Sequence, residues 1–134
     1  MLGQIRVVAA VISRGENLLV CQRPMHKRHG GLWEFPGGKC EPGESDGDAI
    51  RRELAEELAV TAISVGTSEY EIADNGSPYL IVFVPVTISA EPTPIEHSAV
   101  AWLQPYELLQ MQLAPSDRRY VEQRVRHLRA GLSK

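Results

Sequence analysis

Gly38 to Val60 reads GKCEPGESDGDAIRRELAEELAV. A glycine-rich loop, Gly37-Gly38-Lys39-Cys40-Glu41-Pro42-Gly43-Glu44, runs there into a segment with the marks of a helix. Ser45 suits an N-cap, and Asp48 three residues on resembles a capping box. Glu44 and Asp46 suit the positive helix start. Ile50, Leu54 and Leu58 recur about one turn apart as an apolar stripe. At about 100° per residue, Glu57 lies next to that stripe and Glu53 beside Glu57, so these acids border the core. Glu53, Glu56 and Glu57 stand at i, i+3 and i+4, where like charges cost roughly 0.2–0.5 kcal/mol per pair. They also crowd the helix half whose dipole disfavours anions. A helix built only for stability avoids both arrangements, whereas one built to hold a hard divalent cation needs them. Arg51 and Arg52 are expected on other faces, neutralising the helix without entering the acid cluster.

Outward from this stretch, Ile5 to Ser13 is apolar with little alternation, which suits a strand buried on both faces. The turn Arg14-Gly15-Glu16-Asn17 and the run Leu18 to Arg23 complete a hairpin. Pro24 to Gly31 is a basic, irregular loop, either a solvated connection or a positive flap near phosphates. Leu32 to Phe35 is a short apolar stretch broken by Pro36-Gly37-Gly38. Ala62 to Ile72 reads as a third strand, and Asp74 to Pro78 as a turn. Tyr79 to Ile88 is the most strand-like segment, with Pro85 arguing for an edge position or a bulge. Pro92 and Pro94 mark a loop before Glu96, and Val100 to Leu103 is a last strand. Pro105 starts a brief helix through Leu109, and Pro115-Ser116-Asp117 starts a C-terminal helix with Tyr120, Val121, Val125 and Leu128 as its apolar side. This order predicts an α/β fold, an α/β/α sandwich in which a mixed β-sheet carries helices on both faces.

The 134 residues fit a single domain spanning 1–134. A formal charge of −3 argues against a surface that coats nucleic acid polymers, so a phosphate-rich substrate needs a local basic patch or a bound metal. Two cysteines make no disulfide scaffold. No apolar run reaches the roughly 18–20 residues of a membrane span, and no signal-peptide pattern opens the chain. The expectation is a soluble cytoplasmic protein, monomer or homodimer, with no membrane partner.

The polar positions around the helix follow one order: Gly38, five residues, Glu44, seven residues, Arg52-Glu53-Leu54, one residue, Glu56-Glu57. This resembles the Nudix box. Ala59 stands where the pattern has a glycine that ends the helix, a departure that touches the C-cap and removes no ligand. Val7 to Ile12, Gln22-Arg23-Pro24, Gly31 to Lys39 and Leu113 to Asp117 are similar to the MutT branch, particularly its CTP pyrophosphohydrolase and 8-oxo-dGTP diphosphatase types.

The resemblance implies a Nudix fold and an enzyme that cleaves nucleoside triphosphates to the monophosphate and pyrophosphate with Mg²⁺, for which Mn²⁺ substitutes. It implies Glu53 as general base, Arg52 as the residue orienting it, and Glu44 as a second-rank base or a helix-start acid. Metal ligands would be Glu53, Glu56, Glu57, the carbonyl of Gly37, and Glu96 from the later loop. Arg23, Arg28, Glu34 and Lys39 would bind substrate, Phe35 would stack on or wall the base, and Asp117 would hydrogen-bond it. In the 8-oxoguanine-specific enzymes an Asn and an Arg stand where this chain has Asp117 and Ser77-Pro78, so cytosine-type and oxidised substrates both stay open. A dinucleoside polyphosphate hydrolase and a non-catalytic nucleotide sensor are the alternatives. His26, His29, His97 and His127 show no metal-ligand spacing and carry no expected role.

Overall fold

Val8 to Ile12 is apolar at five successive positions, and all five side chains are buried. They form the middle of β1 (Ile5–Arg14) in the computed structural model, which describes residues 4–74 and 76–132. A turn at Gly15 returns the chain as β2 (Asn17–Gln22), antiparallel to β1. Next come β3 (Trp33–Glu34) on β2, β4 (Gly37–Lys39) on β1, and helix α1 (Asp46–Leu58). β5 (Ala62–Val65) and β6 (Tyr70–Ala73) both pair antiparallel with β7 (Tyr79–Ile88), which runs parallel to β1. β8 (Ala99–Leu103) pairs with β2, and helices α2 (Pro105–Leu108) and α3 (Pro115–Leu132) follow.

Alternation along β1 splits the core in two, because successive strand side chains point to opposite faces. Val8, Ala10 and Ile12 pack with Ile50, Leu54 and Leu58 of α1, whereas Ala9 and Val11 pack with Tyr120, Val121 and Val125 of α3. The result is the expected mixed sheet between helices. Each fully buried Leu or Ile contributes roughly 1.5–3 kcal/mol relative to exposure. Arg6 grips Asp46 with two hydrogen bonds, of 3.0 and 2.8 Å, tying β1 to the start of α1. Ser45 caps α1 by accepting the Asp48 N–H at 3.1 Å.

Several local expectations change. Gly37 to Lys39 is a strand, not a loop. Its backbone pairs with Val7, Val8 and Ala9, and a Cβ placed on Gly37 would lie 1.9 Å from the Val8 carbonyl oxygen. Only glycine permits that approach. The expected strand from Ala62 to Ile72 is two strands, parted where Gly66 donates its N–H to the Pro85 carbonyl and Glu69 to the Phe83 carbonyl. β7 is also not an edge: it lies between β1 on one side and β5 with β6 on the other. A residue's N–H and C=O face the same neighbour in an antiparallel ladder. The donor that Pro85 lacks therefore faces the break between β5 and β6, where no strand asks for it. The buried stripe of α3 stops at Val125. Leu128 is 44% exposed, in a run from 126 to 131 whose described side chains all face solvent. Ala59 does end α1 in the left-handed conformation, φ 55°, at a cost of roughly 1–2 kcal/mol for a residue with a Cβ.

Candidate active site

Glu57 belongs to the buried side of α1 and is only 7% exposed. Its Oε2 accepts the Gly37 backbone N–H at 3.0 Å, joining α1 to β4. Burial pushes its carboxyl up to about 8; the Gly37 N–H opposes this, and the charges of Glu53, Glu34 and Glu96 add to it. Glu53 lies one turn back, over Gly38. A Cβ on Gly38 would come within 2.5 Å of Glu53 Oε1, so the absent side chain is what seats this carboxylate. Burial raises Glu53 as well, with Arg52 holding it down.

Arg52 does not stay on a separate face. Its guanidinium reaches back along α1 and meets both Glu44 oxygens at 2.9 Å, Glu53 Oε1 at 2.8 Å and the Lys39 carbonyl at 3.0 Å. Glu56 Oε2 is 3.5 Å away, so Arg52 sits inside the acid cluster that helical spacing kept it out of. The reason is reach: a long side chain with five N–H donors can fork between carboxylates that its Cα does not face. Arg52 in turn pushes Glu44 down to about 2. Glu44 is therefore a fixed anion that anchors Arg52, and Arg52 is the link to Glu53.

Beyond Glu57 opens a cavity of about 380 Å³. Glu57, Glu96 and Glu34 give it acidic wall, and Arg23, Pro24, His26, Lys27 and His97 complete it. Glu96 reaches it because its loop is pinned to the end of α1: Ile95 N–H donates to the Glu57 carbonyl at 2.9 Å, and Thr93 N–H to that of Leu58 at 2.8 Å. Arg23 Nε donates to the Arg28 carbonyl at 2.8 Å, and its Nη1 lies 3.4 Å from both Glu34 oxygens.

Three of the expected substrate contacts are placed differently. Arg28 serves through its backbone carbonyl, and it is Lys27 and His26 whose side chains line the cavity. Lys39 is exposed, with its ammonium 5.1 Å from the centre of the Tyr79 ring and outside the cavity wall. Phe35 is 4% exposed and packs edge-on to Phe83 and Tyr120, so its ring face is core and not a platform for a base. What Phe35 presents instead is its backbone N–H, which Asp117 Oδ1 accepts at 3.0 Å. Burial pushes Asp117 up to about 7, against that N–H and with help from the Glu34 charge. Glu34 thus acts on Glu57 at one end and Asp117 at the other. Pro24, His26 and Lys27 belong to the basic loop that the sequence leaves open between a solvated connection and a flap near phosphates, and His97 carries no expected role. They sit in loops without periodicity, and only the closeness of His97 to Glu96 in sequence hinted at its place.

Among the described residues, no three His, Cys, Asp or Glu side chains already converge as a metal cage. The donor chemistry nevertheless fits a divalent cation. Buried and half-buried carboxylates with raised proton affinity lie beside one another, and a hard cation relieves that repulsion through oxygen ligands.

A mixed sheet between helices, with a glycine-rich strand running into an acid-bearing helix, defines the Nudix fold. The chain belongs to the NUDIX family: the NUDIX domain model matches residues 3–124. It is 41% identical over 119 residues to the CTP pyrophosphohydrolase of Escherichia coli, covering 84% of this chain and 85% of that protein. It is 41% identical over 58 residues to the 8-oxo-dGTP diphosphatase of Proteus vulgaris, covering 42% of this chain and 52% of that protein. A solved MutT structure, from work on the Aliivibrio salmonicida and Vibrio cholerae proteins, superposes with a TM-score of 0.76 at 29% identity, over 90% of this chain and 95% of that one. The chain is a MutT-like Nudix hydrolase.

Proposed function

We propose that this hydrolase is a magnesium-dependent nucleoside triphosphate pyrophosphohydrolase. It would convert a (deoxy)nucleoside triphosphate and water to the monophosphate and pyrophosphate, as one domain, in a cytoplasm that keeps Cys21 and Cys40 reduced. The carrying observation is the cavity that Glu57 and Glu96 share with Arg23 and Lys27: acids for a cation, cations for phosphate.

Magnesium, held by Glu53, Glu56, Glu57, Glu96 and the Gly37 carbonyl, would screen phosphate charge and favour ionisation of water. Glu53 takes the proton of the attacking water, as its raised proton affinity suits. The water oxygen bonds to phosphorus as a phosphoanhydride bond breaks and pyrophosphate leaves. Arg52, anchored by Glu44, keeps Glu53 aimed. Arg23 would face the phosphates, and Asp117, one oxygen of which is held by the Phe35 N–H, would turn its other oxygen to the base edge. An ionised Asp117 accepts from an exocyclic amino group such as that of cytosine. The two substrate types carried by the relatives' names, CTP and 8-oxo-dGTP, are the leading candidates.

The test is a panel of CTP, dCTP, 5-methyl-dCTP, dTTP, dGTP, 8-oxo-dGTP and ADP-ribose at fixed Mg²⁺, with products identified. Monophosphate plus pyrophosphate supports the proposal. Orthophosphate alone overturns it, and no hydrolysis across the panel points to a nucleotide sensor.

A further inference from the structure

His97 stands on the cavity wall with its side chain 5% exposed. Its Nε2 lies 2.9 Å from Glu34 Oε2. A carboxylate oxygen is an acceptor, so Nε2 is assigned as the donor. The other ring nitrogen, Nδ1, is buried and meets no hydrogen-bond partner among the described residues. Burying a polar atom unpaired costs free energy, so a residue kept only to fill this space would be better apolar. The useful part of His97 is the Nε2 bond.

That bond is the firmest hold on Glu34. The Arg23 guanidinium is 3.4 Å from either Glu34 oxygen, well beyond the 2.9 Å of the histidine contact. Meanwhile the backbone around His97 is fixed. Ser98 N–H donates to the Gln22 carbonyl at 2.9 Å, and Ile95 N–H binds the Glu57 carbonyl at the same distance. Position therefore passes from the sheet to His97, from His97 to Glu34, and from Glu34 to the charged end of Arg23. Arg23 is steadied from its other side by the Arg28 carbonyl.

We propose that His97 is a positioning residue that holds Glu34, and through Glu34 the Arg23 guanidinium, in the geometry that receives the nucleotide. This rests on the cavity being the nucleotide site. His97 touches no reacting atom; it sets affinity through Glu34.

The experiment compares His97→Leu, which keeps bulk and deletes the donor, with His97→Gln, whose amide N–H can reach the place of Nε2. Loss of one buried bond to a charged group predicts a KM about 10-fold higher for His97→Leu, with kcat changed less than about 3-fold. His97→Gln should recover most of the loss. Glu34→Ala and the Glu34→Ala/His97→Leu double variant should share one KM, because His97 acts only through Glu34. Equilibrium binding of CMP and 8-oxo-dGMP should follow the same order, and imidazole ¹⁵N shifts of His97 should move in Glu34→Gln. A His97→Leu variant with wild-type KM and monophosphate affinity overturns the proposal. So do additive effects in the double variant, or failure of His97→Gln to rescue a variant that remains folded by its melting curve. Failure of the pyrophosphohydrolase reading is distinct: the wild type then turns over nothing in the panel, while the order of monophosphate affinities still decides the role of His97.

Discussion

Asp117 Oδ1 accepts the backbone N–H of Phe35 at 3.0 Å across 82 positions of sequence, fastening the first turn of α3 to the strand edge that leads into the acid-bearing helix. The carboxylate is pushed up to about 7 from an ordinary value of 3.8, chiefly by burial. Folded Asp117 thus keeps its proton up to about pH 7, whereas the unfolded chain releases it near pH 4. Below pH 4 the group is neutral in both states. As pH rises from about 4 to about 7 it subtracts stability, and above that the penalty is constant. Asp117→Asn keeps an oxygen for the Phe35 N–H and has no proton to lose. Its stability relative to wild type should rise between pH 4 and 8 by on the order of 2 kcal/mol, the full shift being discounted for partial exposure. Urea unfolding across that range measures it; parallel curves would refute the burial argument.

Glu53→Gln should lower kcat by about 10²–10⁴-fold, the usual weight of a positioned general base, while the melting temperature stays near wild type. Arg52→Lys is the subtler change. An ammonium cannot fork between Glu44 and Glu53 at once, so kcat should fall at least about 10-fold even though the charge is kept. Steady-state rates on the preferred triphosphate decide both.

Gly37 and Gly38 are neighbours whose substitution by alanine should fail differently. A Cβ on Gly37 strikes the Val8 carbonyl oxygen at 1.9 Å, so β4 must leave its register. A cost of about 2 kcal/mol implies a fall in Tm of about 6–10 °C. A Cβ on Gly38 strikes only the mobile end of Glu53, which can swing away. Gly38→Ala should therefore melt within a few degrees of wild type but lose about 10-fold or more in kcat, because a carboxylate moved by about an ångström no longer meets the water.

Phe35→Leu separates core from base platform. As a core residue between Phe83 and Tyr120, Phe35 replaced by leucine should cost about 1–2 kcal/mol of stability and leave KM within about 3-fold. A platform role would give the opposite: intact stability and a KM raised 10-fold or more, measured on the same preparation.

Much of the site was legible because it is local. Ser45, Ile50, Leu54, Leu58 and the acids Glu53 and Glu57 share one helix, and 3.6 residues per turn converts their spacing into faces without further information. The same rule misplaced Arg52, since periodicity locates a Cα and says nothing of where a long side chain ends. The basic character of Pro24 to Gly31 was visible, yet which of its side chains reaches the cavity was not, because a loop has no period.

By itself, then, the sequence determined the two-sided burial of β1, the capped acidic helix and the family that this helix marks. These follow from spacing within one element, where covalent geometry sets the distances. Only the tertiary structure decided that Gly37 to Lys39 would pair with β1 and that Phe35 would turn into the core. Only it set His97 against Glu34 across 63 positions. Those contacts depend on how separate elements pack, and packing selects among side chains that the linear pattern leaves equivalent.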